Sequence, residues 1–305
     1  MEANSPFFKQ VRLLVALLPH VSHQRCFALK GGTALNLFVR DLPRLSVDID
    51  LAYVPVEDRE TSLAAIDRAL KAIGAEIERA VPQAVVRGSV LSGTTAWFKL
   101  LVQQEGISVK IEVTPVLRGS VYPPDLRELV PRAQDLFGYA QAQLLSFEDV
   151  YAGKLCAALD RQHPRDLFDV RLLLSAEGVT PRLKDAFLVY LLSHNRSMAE
   201  LLAPTRKDIK TVYEGEFAGM AIELVSLEAL YAAREELITT VQRMLTEQDR
   251  QFLLAVKRGD ADWGRFSIPE AQRLPAVQWK LHNLSLMEPA KRLKALKALE
   301  RALYG

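Results

Sequence analysis

The chain has 305 residues, of which 49% are hydrophobic and 25% charged, and a formal net charge of +2. These proportions exclude a disordered, collagen-like or low-complexity chain, and the near-neutral charge argues against a dedicated duplex-DNA binder. Two cysteines, Cys26 and Cys156, and five scattered histidines make neither a disulfide framework nor a zinc site.

Met1 to Gln10 lacks the basic-then-apolar order of a secretory leader. No apolar run of about 18 residues is free of charge, so the expectation is a cytoplasmic chain with no membrane partner. Apolar positions at helical spacing predict a helix over 7–20. A short apolar run at 26–30 predicts a strand, followed by Gly31-Gly32-Thr33 and a helix over 34–42. Residues 46–54 alternate, with Val47, Ile49 and Leu51 on one face and Ser46, Asp48 and Asp50 on the other. That pattern predicts a strand with one buried face. A helix is expected at 57–73 and strands at 83–91, 95–103 and 107–114, the last two joined by a Gln-Glu-Gly turn. Beyond residue 147 the pattern is helical over 147–161, 164–176, 181–194, 223–245, 247–258 and 288–303. The N-terminal half is thus mixed α/β and the C-terminal half helical, with a boundary between 120 and 148. Trp97, Trp263 and Trp279 are expected to be core or partly buried.

Asp48-Ile49-Asp50 sets two carboxylates on one strand face, about 7 Å apart. Like charges so close stay ionised with a cation between them or good solvation. Mg²⁺ takes one or two carboxylates together with phosphate oxygens. Glu112 shares the polar face of the 107–114 strand with Lys110. If that strand neighbours the first, Asp48, Asp50 and Glu112 form a candidate two-metal phosphoryl-transfer site. The alternative is a solvated strand face. Gly31, Gly32 and Thr33 would let backbone approach a triphosphate, whose charge suits the unpaired N–H groups of a helix start. Glycines can also serve the turn alone. Ser46 shares the aspartate face and could bind a phosphate or orient Asp48. Lys30 and Arg44 are either phosphate cations or surface charges. Lys154 lies amid apolar residues, which requires that it reach a cleft or the helix edge. Asp166 and Asp169 flank a helix start, where acidic residues also complement the dipole. His163 is expected in a loop. Two basic clusters, Arg206-Lys207 with Lys210 and Lys291 through Arg301, are RNA contacts or solvated helix faces.

Lys30-Gly31-Gly32-Thr33-Ala34-Leu35, followed by Arg44-Leu45-Ser46-Val47-Asp48-Ile49-Asp50-Leu51, resembles the AbiEii/MenT family of nucleotidyltransferase toxins. That family lies in the DNA polymerase β-like nucleotidyltransferase superfamily. Ser146 through Lys154, with Arg161 to Asp169, is similar to the family's K…R-x-x-x-R-D-x-x-D block, and Glu216 to Met220 to its F-x-G-M motif. The likeness spans about residues 25–220. It implies an α+β fold: a polymerase β-like lobe of mixed sheet and helices at 1–135, and a helical lobe at 136–305 that completes the active site and contacts the acceptor. It implies Mg²⁺-dependent transfer of a nucleoside monophosphate from an NTP onto RNA, foremost the tRNA 3′ acceptor end, blocking translation. The setting would be a toxin–antitoxin or phage-defence pair with a separate cognate antitoxin protein. The family's functional positions fall on Ser46, Asp48, Lys154 and Asp166, with Asp169 competing for the last role. Asp50 and Glu112 complete the catalytic and metal set. Lys30, Gly31, Gly32, Thr33, Arg44, Ser46 and Lys154 would meet the nucleotide. The alternatives are transfer to a protein acceptor, or a non-catalytic nucleotide-binding partner module.

Overall fold

The computed structural model describes residues 5–305, so the first four residues of the Met1–Gln10 stretch lie outside the described chain. Two compact units form. One takes in the chain up to Val150 together with Gly219–Leu224; the other comprises Tyr151–Ala218 and Val225–Gly305.

The first unit is built on one mixed sheet. Its strands are β1 (Phe27–Lys30), β2 (Asp48–Tyr53), β3 (Val85–Val90), β4 (Trp97–Gln104), β5 (Ile107–Val113), β6 (Asp125–Glu128) and β7 (Gln141–Leu144). They lie in the order β3-β4-β5-β2-β1-β7-β6. Strand β2 is antiparallel to β1 and parallel to β5, and β1 is parallel to β7. Helices α1 (Pro6–Ser22), α2 (Gly31–Ala34), α3 (Arg59–Ala80) and α4 (Pro131–Phe137) accompany it. Ser5 caps α1 by accepting from the Phe8 amide at 3.2 Å. Its Val11, Leu14, Leu17 and Leu18 are buried, and the helix packs on β5 and β7. Helix α3 runs seven residues past its predicted end because Ile73, Gly74 and Ile77 continue its buried stripe. It covers β3 and β4.

Ile49 and Leu51 of β2 and Ile111 and Val113 of β5 are almost fully buried. Each such side chain contributes about 1.5–3 kcal/mol on burial. The alternation therefore forces Asp48, Asp50, Lys110 and Glu112 onto the opposite face. The predicted β4–β5 turn is present, with positive φ at Glu105 and Gly106 as a type I′ turn requires. The predicted 34–42 helix differs. The chain turns helical at Gly31 and widens into a π-turn at Leu35–Val39. β6, α4 and β7 carry no prediction, because four to seven residues are too few to display a period.

The second unit is helical. Helix α5 (Phe147–Asp160) begins in the first unit and continues into the second. Then come α6 (Pro164–Ser175), α7 (Pro181–Ser193), α8 (Met198–Leu202), α9 (Lys210–Glu216), α10 (Leu227–Met244), α11 (Glu247–Arg258), α12 (Pro275–Ser285) and α13 (Pro289–Tyr304). Helix α10 starts later than predicted because Ser226 caps it, accepting from the Ala229 amide at 3.2 Å. Trp263 packs edge-on against Phe252 and Phe266. Trp279 departs from expectation: it is 57% exposed on α12, which turns Ala276, Val277 and Leu284 inward instead.

Candidate active site

In the first unit, β1 runs directly into α2 with Lys30 as the extended N-cap residue. Gly31 has φ +73°, and a Cβ there would lie 2.6 Å from Asp50 Oδ2. A Cβ on Gly32 would lie 2.8 Å from both Arg44 Nη2 and Ser46 Oγ. Gly31 therefore requires glycine for its left-handed backbone, and a side chain at either position would displace Asp50, Arg44 or Ser46. The buried Thr33 hydroxyl donates to the Asp48 carbonyl at 2.5 Å and stands 3.0 Å from Ser46 Oγ. This pins the glycine turn to the strand that carries the aspartates. Asn36 Nδ2 donates to the Gly32 carbonyl at 2.8 Å, a brace that sequence reasoning missed.

Arg44 is buried, and its Nη1 donates to the Leu45 carbonyl at 2.9 Å. The run leading into Asp48 is held by the late Phe-x-Gly-Met segment. The Leu45 amide donates to the Met220 carbonyl and the Ile222 amide to the Pro43 carbonyl, each at 2.9 Å. Arg44 and Ala221 form an antiparallel bridge. That is a physical reason for a motif which the sequence presented only as a resemblance.

Strand register assembles a charged row on the open face. Lys30 of β1, Asp50 of β2, Glu112 of β5 and Lys99 of β4 stand side by side. In the adjoining row Asp48 stands beside Lys110. Lys110 Nζ is 3.2 Å from Glu112 Oε2 and 3.9 Å from Asp48 Oδ2. Burial opposes the Lys110 charge, but Asp48, Glu112 and Asp50 outweigh it and raise its pKa. The side chains of Asp48, Lys110 and Glu112 remain about one-third exposed, each open to a ligand. Lys110 and Lys99 join the site only through strand register. The alternation of Val109, Lys110, Ile111 and Glu112 puts Lys110 on the carboxylate face, but its partner across the sheet required register.

The donor set suits a hard cation. Asp48 and Asp50 supply carboxylate oxygens beside a turn of backbone N–H groups, and Mg²⁺ is commonly held by one or two carboxylates plus waters and phosphates. Among the described residues, no group of three or more His, Cys, Asp or Glu is arranged to hold a metal by itself. Glu112 sits in register beside Asp50, as its prediction required, but is ion-paired with Lys110.

In the second unit, Lys154 is buried and donates to Asp166 Oδ1 at 2.8 Å, with Asp169 Oδ2 at 3.0 Å. Arg161 adds two bonds to Asp166, from Nε at 2.5 Å and Nη2 at 3.0 Å. Burial alone would raise the Asp166 pKa, but Lys154 and Arg161 hold it far below the usual carboxylate range. Both rival aspartates thus touch the same lysine. Ser146 and Asp149, from the same sequence block, have a structural part. The Ser146 hydroxyl donates to Asp149 Oδ2 and accepts from its amide, while the Asp149 carboxylate accepts from the Val121 and Tyr122 amides. His163 is an N-cap, its Nδ1 accepting from the Arg165 amide at 3.1 Å, and burial lowers its pKa. Arg206 pairs with Glu235, and Lys207 Nζ donates to the Asp160 carbonyl, so this basic cluster is occupied in tying helices together.

The family profile described as nucleotidyl transferase AbiEii toxin, type IV toxin–antitoxin system, matches residues 12–283. Among solved structures, the chain is similar to MenT4, a nucleotidyltransferase toxin from Mycobacterium tuberculosis H37Rv. The TM-score is 0.58 at 16% identity, over 92% of this chain and 95% of that one. No curated protein matches.

Proposed function

Because the chain belongs to the AbiEii family of nucleotidyltransferase toxins, we propose that it moves a nucleoside monophosphate from an NTP onto RNA, with the tRNA 3′ end as acceptor. The observation that carries this reading is the joint between the Gly31–Thr33 turn and the Asp48–Asp50 face, made by the Thr33 hydroxyl on the Asp48 carbonyl. One ligand that needs both backbone N–H donors and a carboxylate-held cation is a triphosphate.

Gly31, Gly32 and Thr33 bind the phosphates through their amides, and Lys30 adds charge at the same end of β1. Arg44 backs the turn at Gly32 and adds to the positive field there. Ser46 fixes the Thr33 hydroxyl and the start of β2. Asp48 and Asp50 would hold Mg²⁺, which when bound supplies charge neutralisation to the triphosphate. We assign Lys154 as a further phosphate cation and Asp166 as the carboxylate that orients it, with Asp169 in support. The acceptor hydroxyl loses its proton to solvent as its oxygen bonds to the α-phosphorus, the α–β anhydride bond breaks, and pyrophosphate leaves with that bond's electron pair. The residues contribute positioning and electrostatic stabilisation rather than covalent chemistry. A cognate antitoxin, a cytoplasmic setting and a role in phage defence belong to the same reading.

The test is incubation of the full chain with total tRNA, Mg²⁺ and each α-³²P-labelled NTP, beside the Asp48→Ala variant. Label in the tRNA band with the wild type alone is expected. Label in protein alone moves the acceptor to a polypeptide, and no label in any fraction overturns the transferase reading for these acceptors.

A further inference from the structure

The open face of the first unit carries three carboxylates within two strands, Asp48 and Asp50 on β2 and Glu112 on β5. Three carboxylates on one polymerase-like face could serve two divalent ions, one bridging across to Glu112. A charged side chain already stands on that line. Lys110 is the register partner of Asp48, and its ammonium contacts both Asp48 and Glu112. Lys99 flanks Glu112 from the other side, in register on β4. Glu112 therefore lies between two lysine-bearing positions, whereas Asp50 faces Gly31, where the lack of a Cβ leaves its Oδ2 clear.

We infer that Lys110 is a built-in cation occupying the place between Asp48 and Glu112, so that the site takes one divalent ion, at Asp48 and Asp50, rather than two. The physical basis is charge balance. An ammonium between two carboxylates removes the repulsion that would otherwise draw in a second divalent cation. It is also tethered to the strand, so the charge is in place before any substrate arrives. Glu112 is then a positioning residue, holding the Lys110 ammonium in place, and not a metal ligand. This rests on the reading of Asp48 and Asp50 as a metal site.

Mn²⁺ alone serves as probe, titrated into the full-length chain with free ion followed by electron paramagnetic resonance. The variants are Lys110→Gln, Lys110→Gln with Glu112→Gln, and Asp48→Ala with Asp50→Ala. Circular dichroism melting confirms that each remains folded, and Lys110→Met replaces Lys110→Gln if the latter does not. The wild type is expected to bind one Mn²⁺ and Lys110→Gln two. The added Glu112→Gln change returns the count to one. The double aspartate variant loses the wild-type ion. Two ions in the wild type, or one in both the wild type and Lys110→Gln, overturns the Lys110 inference while leaving the metal site standing. No ion in the wild type overturns both.

Discussion

Each unit carries two aspartates close in sequence, and the two pairs meet opposite surroundings. Asp48 and Asp50 sit on an open strand face, where solvent and one part-exposed lysine offset their charges. Asp166 and Asp169 are sealed inside helices and depend on Lys154, with Arg161 adding to Asp166. The open pair is part-exposed, so its partners can exchange with solvent and ligand at little cost. The sealed pair cannot lose a partner without leaving a buried charge uncompensated. The first arrangement leaves room for exchange of partners, and the second presets the direction of its lysine.

The widest gap between the two regions should appear in activity. Asp48→Ala should lower nucleotide transfer by about 10³-fold or more, since removing a held cation forfeits several kcal/mol of barrier reduction. Its urea-unfolding free energy should stay within about 0.5 kcal/mol of the wild type, as for other exposed changes. Asp166→Asn should differ chiefly in stability, losing about 3–5 kcal/mol in urea unfolding because Lys154 and Arg161 lose their shared partner. The wild-type contribution of Asp166 has a definite pH window. Its folded pKa is depressed, so the stabilisation is present above about pH 4, the unfolded value, and is lost as pH falls toward the folded one. Asp166→Asn should flatten that acid limb. Equal stability losses for Asp48→Ala and Asp166→Asn would break the contrast.

Gly31→Ala sharpens it from the open side. The left-handed backbone costs about 1–2 kcal/mol for a residue with a Cβ. The added methyl also meets Asp50 Oδ2, so transfer activity should fall further than melting temperature suggests. The smallest effect should come from Lys71→Ala, which removes the solvent-facing pair with Asp67 on α3. About 0.3–0.5 kcal/mol is expected by chemical denaturation. A loss near that of Asp166→Asn would refute burial as the deciding variable.

Much of the open site is legible in the chain itself. Period-2 alternation places Asp48, Asp50 and Ser46 on one face, and the paired glycines before a helix mark a turn without side chains. Glu112 is found by the same alternation in β5. The sealed cluster is legible only as a pattern of charges among apolar residues. Lys154 precedes Asp166 by about three helical turns' worth of chain and a break, so no local spacing pairs them. Short elements escape for a related reason. β7 has four residues, yet its parallel pairing with β1 places it beside the strand that carries Lys30.

The sequence by itself determined the first five strands, most of the longer helices, the glycine turn and the carboxylate face, because each is written in a period of two or 3.6 residues. Family membership was equally readable, since its motifs are contiguous. Tertiary structure decided what crosses between elements. It set Lys110 beside Asp48, closed Lys154 onto two aspartates, and brought Gly219–Leu224 back to brace the run into β2. Those partnerships depend on strand register and on the return of distant chain, and neither leaves a local signature in the order of residues.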